Sequence, residues 1–279
     1  MNNQHKNRGK YAVSGVIEAL LLIGLVAVVI GIIQVEYIPQ VMNQREAEHM
    51  DQVSNQFSYL KSMIDIQTMT KSNAPIFSII TLGSPELPYF ITAHAEGELN
   101  VPPTETGNIT IGGLKVVSLT AIKYDAKNAY FIPQTYILES GGIILKQPDG
   151  NSTMRVPPSV NITEVDSEYN IYFDLVRFIG KPGKNVSANY GKCVIRTNFS
   201  HSTSVPLGPV GILRINTQYP HAWYEFLNDK MGQFVDVSLR PVSEPSYVEI
   251  KQKPLGNPID NIYITEHWVE VQIGPGWVV

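Results

Sequence analysis

Residues 13–33, VSGVIEALLLIGLVAVVIGII, constrain this chain more than any other stretch. Only Ser14 and Glu18 interrupt the apolar run. As a helix rising about 1.5 Å per residue it reaches about 30 Å, the thickness of a bilayer core. A helix apolar on every side has no face to turn to water, so it needs lipid or other helices around it. Residues 1–10, MNNQHKNRGK, carry Lys6, Arg8 and Lys10 and no acid. Cations directly before an apolar span keep the N-terminus in the cytoplasm, which puts the following domain outside. A secretory signal shares this layout, but its apolar region is shorter and ends at an Ala-x-Ala-like site that is missing here. The span is therefore expected to remain in the mature protein.

Inside the span, Gly24, Ala27 and Gly31 fall near one another on a helix, and small residues let helix backbones approach closely in lipid. Glu18 lies near the cytoplasmic end, where it reaches either the headgroups or a partner charge, since intramembrane acids are costly unless partnered. Gln34, Glu36 and Tyr37 mark the membrane exit, and Pro39 is expected to bend the helix or start a new segment. No Gly or Pro interrupts residues 46–70, where Met50, Val53, Phe57, Leu60 and Ile64 follow spacings of three and four. That seam belongs to an amphipathic helix packed on its own C-terminal domain or in a short coiled coil. Ser72-Asn73-Ala74-Pro75 ends it.

Beyond residue 75 the period changes. Residues 76–82, 108–124, 136–147, 170–179, 192–199, 210–216, 234–242, 246–252 and 267–273 are β-branched or aromatic runs separated by Gly, Pro, Asn or Asp. Ser140-Gly141-Gly142 and Pro148-Asp149-Gly150-Asn151 read as hairpin turns. PHAWYEFLNDKMG reads as one helix: Pro220 opens it, Trp223, Phe226, Leu227 and Met231 share a face, and Gly232 caps it. Residues 100–106 are expected to form a long loop, and residues 206–209 a weaker boundary between two sheets. The expected fold is α+β: a long kinked N-terminal helix, membrane-spanning and then amphipathic, followed by a largely antiparallel β-sandwich-like head with one short helix. The segments are a basic leader at 1–12, an apolar helix at 13–38, an amphipathic stalk at 39–73 and a β head at 74–279.

Composition excludes more than it selects. A net charge of −4 gives no electrostatic footprint for nucleic acid, whose phosphates need Lys and Arg clustered on one face. Cys193, the single cysteine, rules out an internal disulfide and reads as a small buried strand residue. His94-Ala95-Glu96 matches part of a zinc deaminase signature, whose P-C-x-x-C half one cysteine cannot supply. The histidines are dispersed, and Asp166 and Glu168 are a pair that any β-domain offers. No catalytic constellation, metal site or cofactor is expected. Five N-glycosylation sequons, at Asn108, Asn151, Asn161, Asn185 and Asn198, all lie beyond residue 100, in agreement with an outward head. A sequon inside a strand, such as Asn198, is expected to be a poor acceptor.

The Lys6–Lys10 tract, the run Ala12-Val13-Ser14-Gly15-Val16-Ile17, Glu18, and the continuation through Arg45-Glu46-Ala47-Glu48 together resemble an archaeal type IV pilin-like protein. The likeness covers about the first 70 residues. It implies a prepilin peptidase that cuts between the leader and the apolar helix, either after Gly9, leaving Lys10 first, or after Ala12, leaving Val13 first. With the second cut Glu18 becomes the sixth mature residue, near the acid that bacterial relatives pair with a neighbour's new α-amino group; many archaeal pilins lack it. The resemblance further implies membrane residence before assembly, copies of itself or other pilin-like subunits as partners through Glu18, Gly24, Ala27 and Gly31, and a surface filament with β heads outside. The alternative is a single-pass anchored surface protein that binds through its β-domain and never polymerises.

Overall fold

The structure, a computed structural model, describes residues 5–84, 95–208, 211–244 and 246–276, with side chains from Gly15 onward. One helical rod opens the chain: α1 (His5–Ile32), a π turn (Ile33–Tyr37) and α2 (Ile38–Thr70). The break expected at Pro39 takes the form of this wide turn, in which the Ile38 N–H donates back to Ile33 O. Pro39 itself sits in the first turn of α2, where its missing N–H costs little. Lys71 ends the rod in the left-handed region at φ 51°, its N–H bonded to the carbonyls of Gln67 and Thr68.

Three sheets build the head. The first orders β1 (Ile76–Thr81), β12 (Lys192–Leu207), β16 (Ile259–Ile273), β10 (Glu168–Gly180) and β9 (Ser159–Val165). Within it β10 and β16 run parallel and the other neighbours antiparallel. The second, all antiparallel, orders β11 (Val186–Asn189), β2 (Glu96–Asn100), β5 (Ala121–Lys127), β6 (Thr135–Glu139), β7 (Gly142–Lys146) and β8 (Thr153–Val156). The third orders β14 (Asp236–Arg240), β15 (Tyr247–Lys251), β13 (Ile212–Thr217), β3 (Gly107–Ile111) and β4 (Leu114–Leu119), again antiparallel. Between β13 and β14 runs α3 (Pro220–Met231), with Trp223, Leu227 and Met231 buried, Phe226 half-buried and Gly232 at its C-cap.

The expected α+β class is the one observed, with local differences. Residues 108–124 fold as three strands rather than one, because Gly112 and Gly113 take φ of 57° and 85° and turn β3 back into β4. Ser140 and Gly141 likewise turn β6 into β7. The sheet boundary expected at 206–209 falls where the chain leaves the first sheet for the third, β12 ending at Leu207 and β13 starting at Ile212. Pro206 still lies within β12, on a stretch bonded to β16 alone, where a proline removes no ladder bond on the open side. Pro209 and Val210 lie outside the described residues.

Two cores form on opposite faces of the second sheet. Tyr136 and Leu138 of β6 pack with Met50, Val53, Phe57, Leu60 and Ile64 of α2, while Ile137 points to the other side and joins Trp223, Leu227 and the third sheet. Burial on both faces explains why β6 and β7 read as near-continuous apolar runs. The first sheet supports both cores: Ile171, Phe173 and Leu175 of β10 face the α3 side, Val176 and Phe178 the α2 side. Each core covers only part of these long strands, so each face keeps an uncovered portion.

Candidate functional site

The first candidate is α1. From Gly15 to Ile30 every side chain is exposed, with Leu20, Leu21, Leu22, Ile23 and Leu25 at 62–69%. By length and composition the helix can cross a membrane, and none of its apolar window is buried. Gly9, Lys10, Ala12 and Val13 all lie on its backbone, so either candidate cut shortens the helix and leaves the remainder intact. Glu18 is exposed, and nothing stands within 4 Å of where a Cβ on Gly24 or Gly31 would lie. With Ala27 these residues form an open small-residue surface on the rod.

At Ile38 the surroundings invert. Met42, Met50, Val53, Phe57, Leu60 and Ile64 are 0–2% exposed, so the stripe packs on the chain's own head. Polar clasps fix its position. Glu46, fully buried, accepts the backbone N–H groups of Ala129, Tyr130 and Phe131 at 3.2, 2.8 and 2.7 Å, filling a nest of donors between β5 and β6. Asn43 Nδ2 donates to Tyr130 O at 2.7 Å in the same loop. His49 Nε2 donates to Thr81 O at 2.9 Å, and burial lowers its pKa, favouring the neutral ring. Gln67 Nε2 donates to Thr197 O and Ala74 O, tying the last turn to β12 and to the chain's exit.

The sequons differ in what their amides meet. Asn151 is exposed in the turn between β7 and β8, and Asn161 is exposed on the edge strand β9. Asn108 is half-buried in β3, its Oδ1 accepting from Asn216 Nδ2 at 2.8 Å. Asn185 spends its Nδ2 on Val101 O at 3.4 Å and borders a cavity of about 640 Å3 lined also by Pro102, Pro103, Arg177 and Trp268. Asn198 sits inside β12 opposite Glu270, its buried Oδ1 without a hydrogen-bond partner.

The uncovered sheet faces hold what sequence reasoning missed. On the α2 side, Ser202 Oγ donates to His267 Nδ1 at 2.7 Å and His267 Nε2 donates to Asp174 Oδ1 at 2.6 Å, a row across three adjacent strands. The order is that of a serine nucleophile, a base and an orienting acid. A substrate, however, would fill the neighbouring cavity of about 340 Å3, which touches Asp174 and His267 but not Ser202. The three groups stand on regular strands, and we read them as a fixed polar row. On the opposite face Trp268 lies between His201, ring centroids 4.8 Å apart, and the Arg177 guanidinium, 4.3 Å from its ring. Sequence separations of 65 and 93 residues hide the polar row; only the alternation in β10, β12 and β16 could have found it.

Glu139, fully buried, accepts from Trp223 Nε1 at 2.7 Å and Thr217 Oγ1 at 3.0 Å, and burial outweighs those bonds to raise its pKa. Cys193 is buried in the core that α2 shares, as expected. Glu96 begins β2 exposed, while His94 lies outside the described residues. No group of three or more His, Cys, Asp or Glu side chains suited to a metal ion occurs among the described residues. The chain matches no protein-family model, no curated protein and no solved structure.

Proposed function

We propose that this chain is a structural subunit, a pilin or minor pilin-like protein, of an archaeal type IV pilus-like surface filament, with its glycosylated β head outside for adhesion or surface contact. The observation that carries this reading is the coupling of α1 to the head. A bare apolar rod continues into α2, and Glu46, His49 and Gln67 clasp α2 at both ends. A plain anchor works as well on a flexible linker. A rod clasped into its head sets where the head stands whenever the rod packs against its neighbours, which is what a helical array requires. In this reading α1 waits in the membrane after prepilin peptidase removes the leader, and then exchanges lipid for copies of itself or other pilin-like subunits. The surface with Gly24, Ala27 and Gly31 allows close approach, and Glu18 meets a neighbour's α-amino group.

N-terminal sequencing of the mature protein tests the processing step: a start at Val13 or Lys10 is expected, and an intact Met1 would sink the reading. Electron microscopy of sheared surface material then looks for filaments, which Glu18→Leu is expected to deplete. One observation favours the second reading, a single-pass surface protein that does not polymerise. The α2 stripe is occupied by its own head, which leaves α1 as the chief surface for subunit contacts. Under either reading, sugar is expected on the exposed Asn151 and Asn161 and little or none on Asn108, Asn185 and Asn198.

A further inference from the structure

Alongside the last turns of α2 and beyond them, the first sheet presents a grid of side chains on its α2 side, the part nearest α2 sharing a cavity with Lys61, Asp65, Thr68 and Met69. Asn161 of β9 stands opposite Tyr172 of β10, which stands beside Tyr263 of β16. One step along, Ser159, Asp174 and Thr265 form the next row. The rings of Tyr172 and Tyr263 are stacked, 9° apart in plane with centroids 4.9 Å apart, and remain 39% and 36% exposed. Hydrogen bonds fix the polar groups beside them: His267 holds Asp174 and Ser202, and Ser204 Oγ lies 3.2 Å from Thr265 Oγ1. Aromatic rings kept at a surface, flanked by oriented donors and acceptors, suit a ligand with one apolar face and a polar rim. A pyranose has that make-up, with C–H bonds on its faces and hydroxyls around its edge.

We propose that the oligosaccharide attached to Asn161 folds back over this face, its first sugars packed on Tyr172 and Tyr263 and their hydroxyls bonded to Asp174 and Thr265. Attachment is ordinary transfer: Asn161 Nδ2 attacks C1 of a lipid-linked oligosaccharide phosphate, the C1–O bond breaks, and the lipid phosphate leaves while the amide loses a proton. Directly paired residues on one face have Cβ atoms about 5 Å apart, so the first sugar starts beside the Tyr172 ring. A tethered ligand meets its site at an effective concentration that a free sugar seldom reaches, which favours the chain's own glycan as occupant. The proposal rests on the outward orientation of the head and not on filament formation.

The test uses the full-length chain from a host that N-glycosylates secreted proteins. Peptide mass spectrometry is expected to find sugar on Asn161. In the folded protein, Tyr172→Ala is expected to speed enzymatic release of that glycan about fivefold, the effect of one lost aromatic contact, whereas Tyr172→Phe keeps the slow rate. The same Tyr172→Ala change is expected to lower the thermal midpoint more in the glycosylated chain than in an Asn161→Gln background, which also controls for damage to the sheet. Tyr263→Ala, on the neighbouring strand, repeats both comparisons. An unmodified Asn161, or equal losses in the two backgrounds with unchanged release, overturns the proposal. An intact Met1 would remove the filament reading and leave these comparisons standing.

Discussion

The two halves of the N-terminal rod share a backbone and differ in everything around it. From Gly15 on, the apolar side chains of α1 point in all directions and the chain covers none of them; in α2 the stripe Met50, Val53, Phe57, Leu60 and Ile64 is covered by the head, and only Tyr59, Ile66 and Met69 among its large apolar side chains stay exposed. The difference lies in the pattern. A stripe recurring every three or four residues can be satisfied by one sheet and leaves a polar face for water. A helix apolar all round can be satisfied only by surroundings on every side, which this head does not provide. The π turn between them marks where the chain stops supplying its own solvent.

The most severe way to break this comparison is to remove α1. A chain beginning at Ile38 is expected to be soluble without detergent and to keep the β-rich circular dichroism of the full chain, while the full chain sediments with membranes. If the shortened chain precipitates or loses its sheet signal, the head depends on α1 and the division at Ile38 is wrong. Next in size are matched truncations in the two halves. Phe57→Ala or Leu60→Ala opens a cavity under the second sheet and is expected to cost about 3–5 kcal/mol in denaturant unfolding. Leu21→Ala, 69% exposed, is expected to change head stability by less than about 0.5 kcal/mol.

The same contrast explains what could be read from the residues. The apolar span, the α2 seam, α3 and the strands buried on both faces carry strong periodicity, and the structure places them as read. The edge strands β8, β9 and β11 were missed because TMRV, SVNITEV and VSAN pack one side at most and carry little apolar signal. β12 and β16 were read as half their length for a related reason. Beyond the α2 core their α2-side positions are Ser202, Ser204, Tyr263, Thr265 and His267, polar or amphipathic residues suited to an open face. The clasp by Glu46 was illegible, since its three partners lie 83 to 85 residues away.

That clasp gives a smaller, sharper test. Glu46→Ala leaves three backbone donors without their acceptor in a part-buried loop. The expected loss is about 2–3 kcal/mol, and hydrogen exchange at Ala129, Tyr130 and Phe131 should rise well before the rest of β5 and β6. Uniform exchange across the head would mean that Glu46 fills space and does not hold the loop. Glu48→Ala, one turn face away and exposed, is the matched control, with an expected change under about 0.5 kcal/mol.

The smallest effects separate the two cores by pH, with opposite signs. His49 belongs to the α2 side, and burial lowers its pKa from 6.5, so the folded state resists the proton that the unfolded chain accepts. Its contribution is complete above about pH 6.5 and is lost as pH falls below that value. Glu139 belongs to the α3 side, and burial raises its pKa from 4.5, so the folded state favours the proton that the unfolded chain gives up. Its contribution is complete below about pH 4.5 and is lost as pH rises through the raised value. Each group tilts stability by at most about 1.4 kcal/mol per pH unit, one proton's worth. Urea midpoints measured across pH 4 to 8 should therefore respond in opposite ways to the two substitutions: His49→Gln removes part of the fall toward acid, and Glu139→Gln removes part of the fall toward neutral pH. If both substitutions change the acid limb alone, Glu139 is ionised in the fold, and Trp223 and Thr217 outweigh the desolvation of its carboxylate.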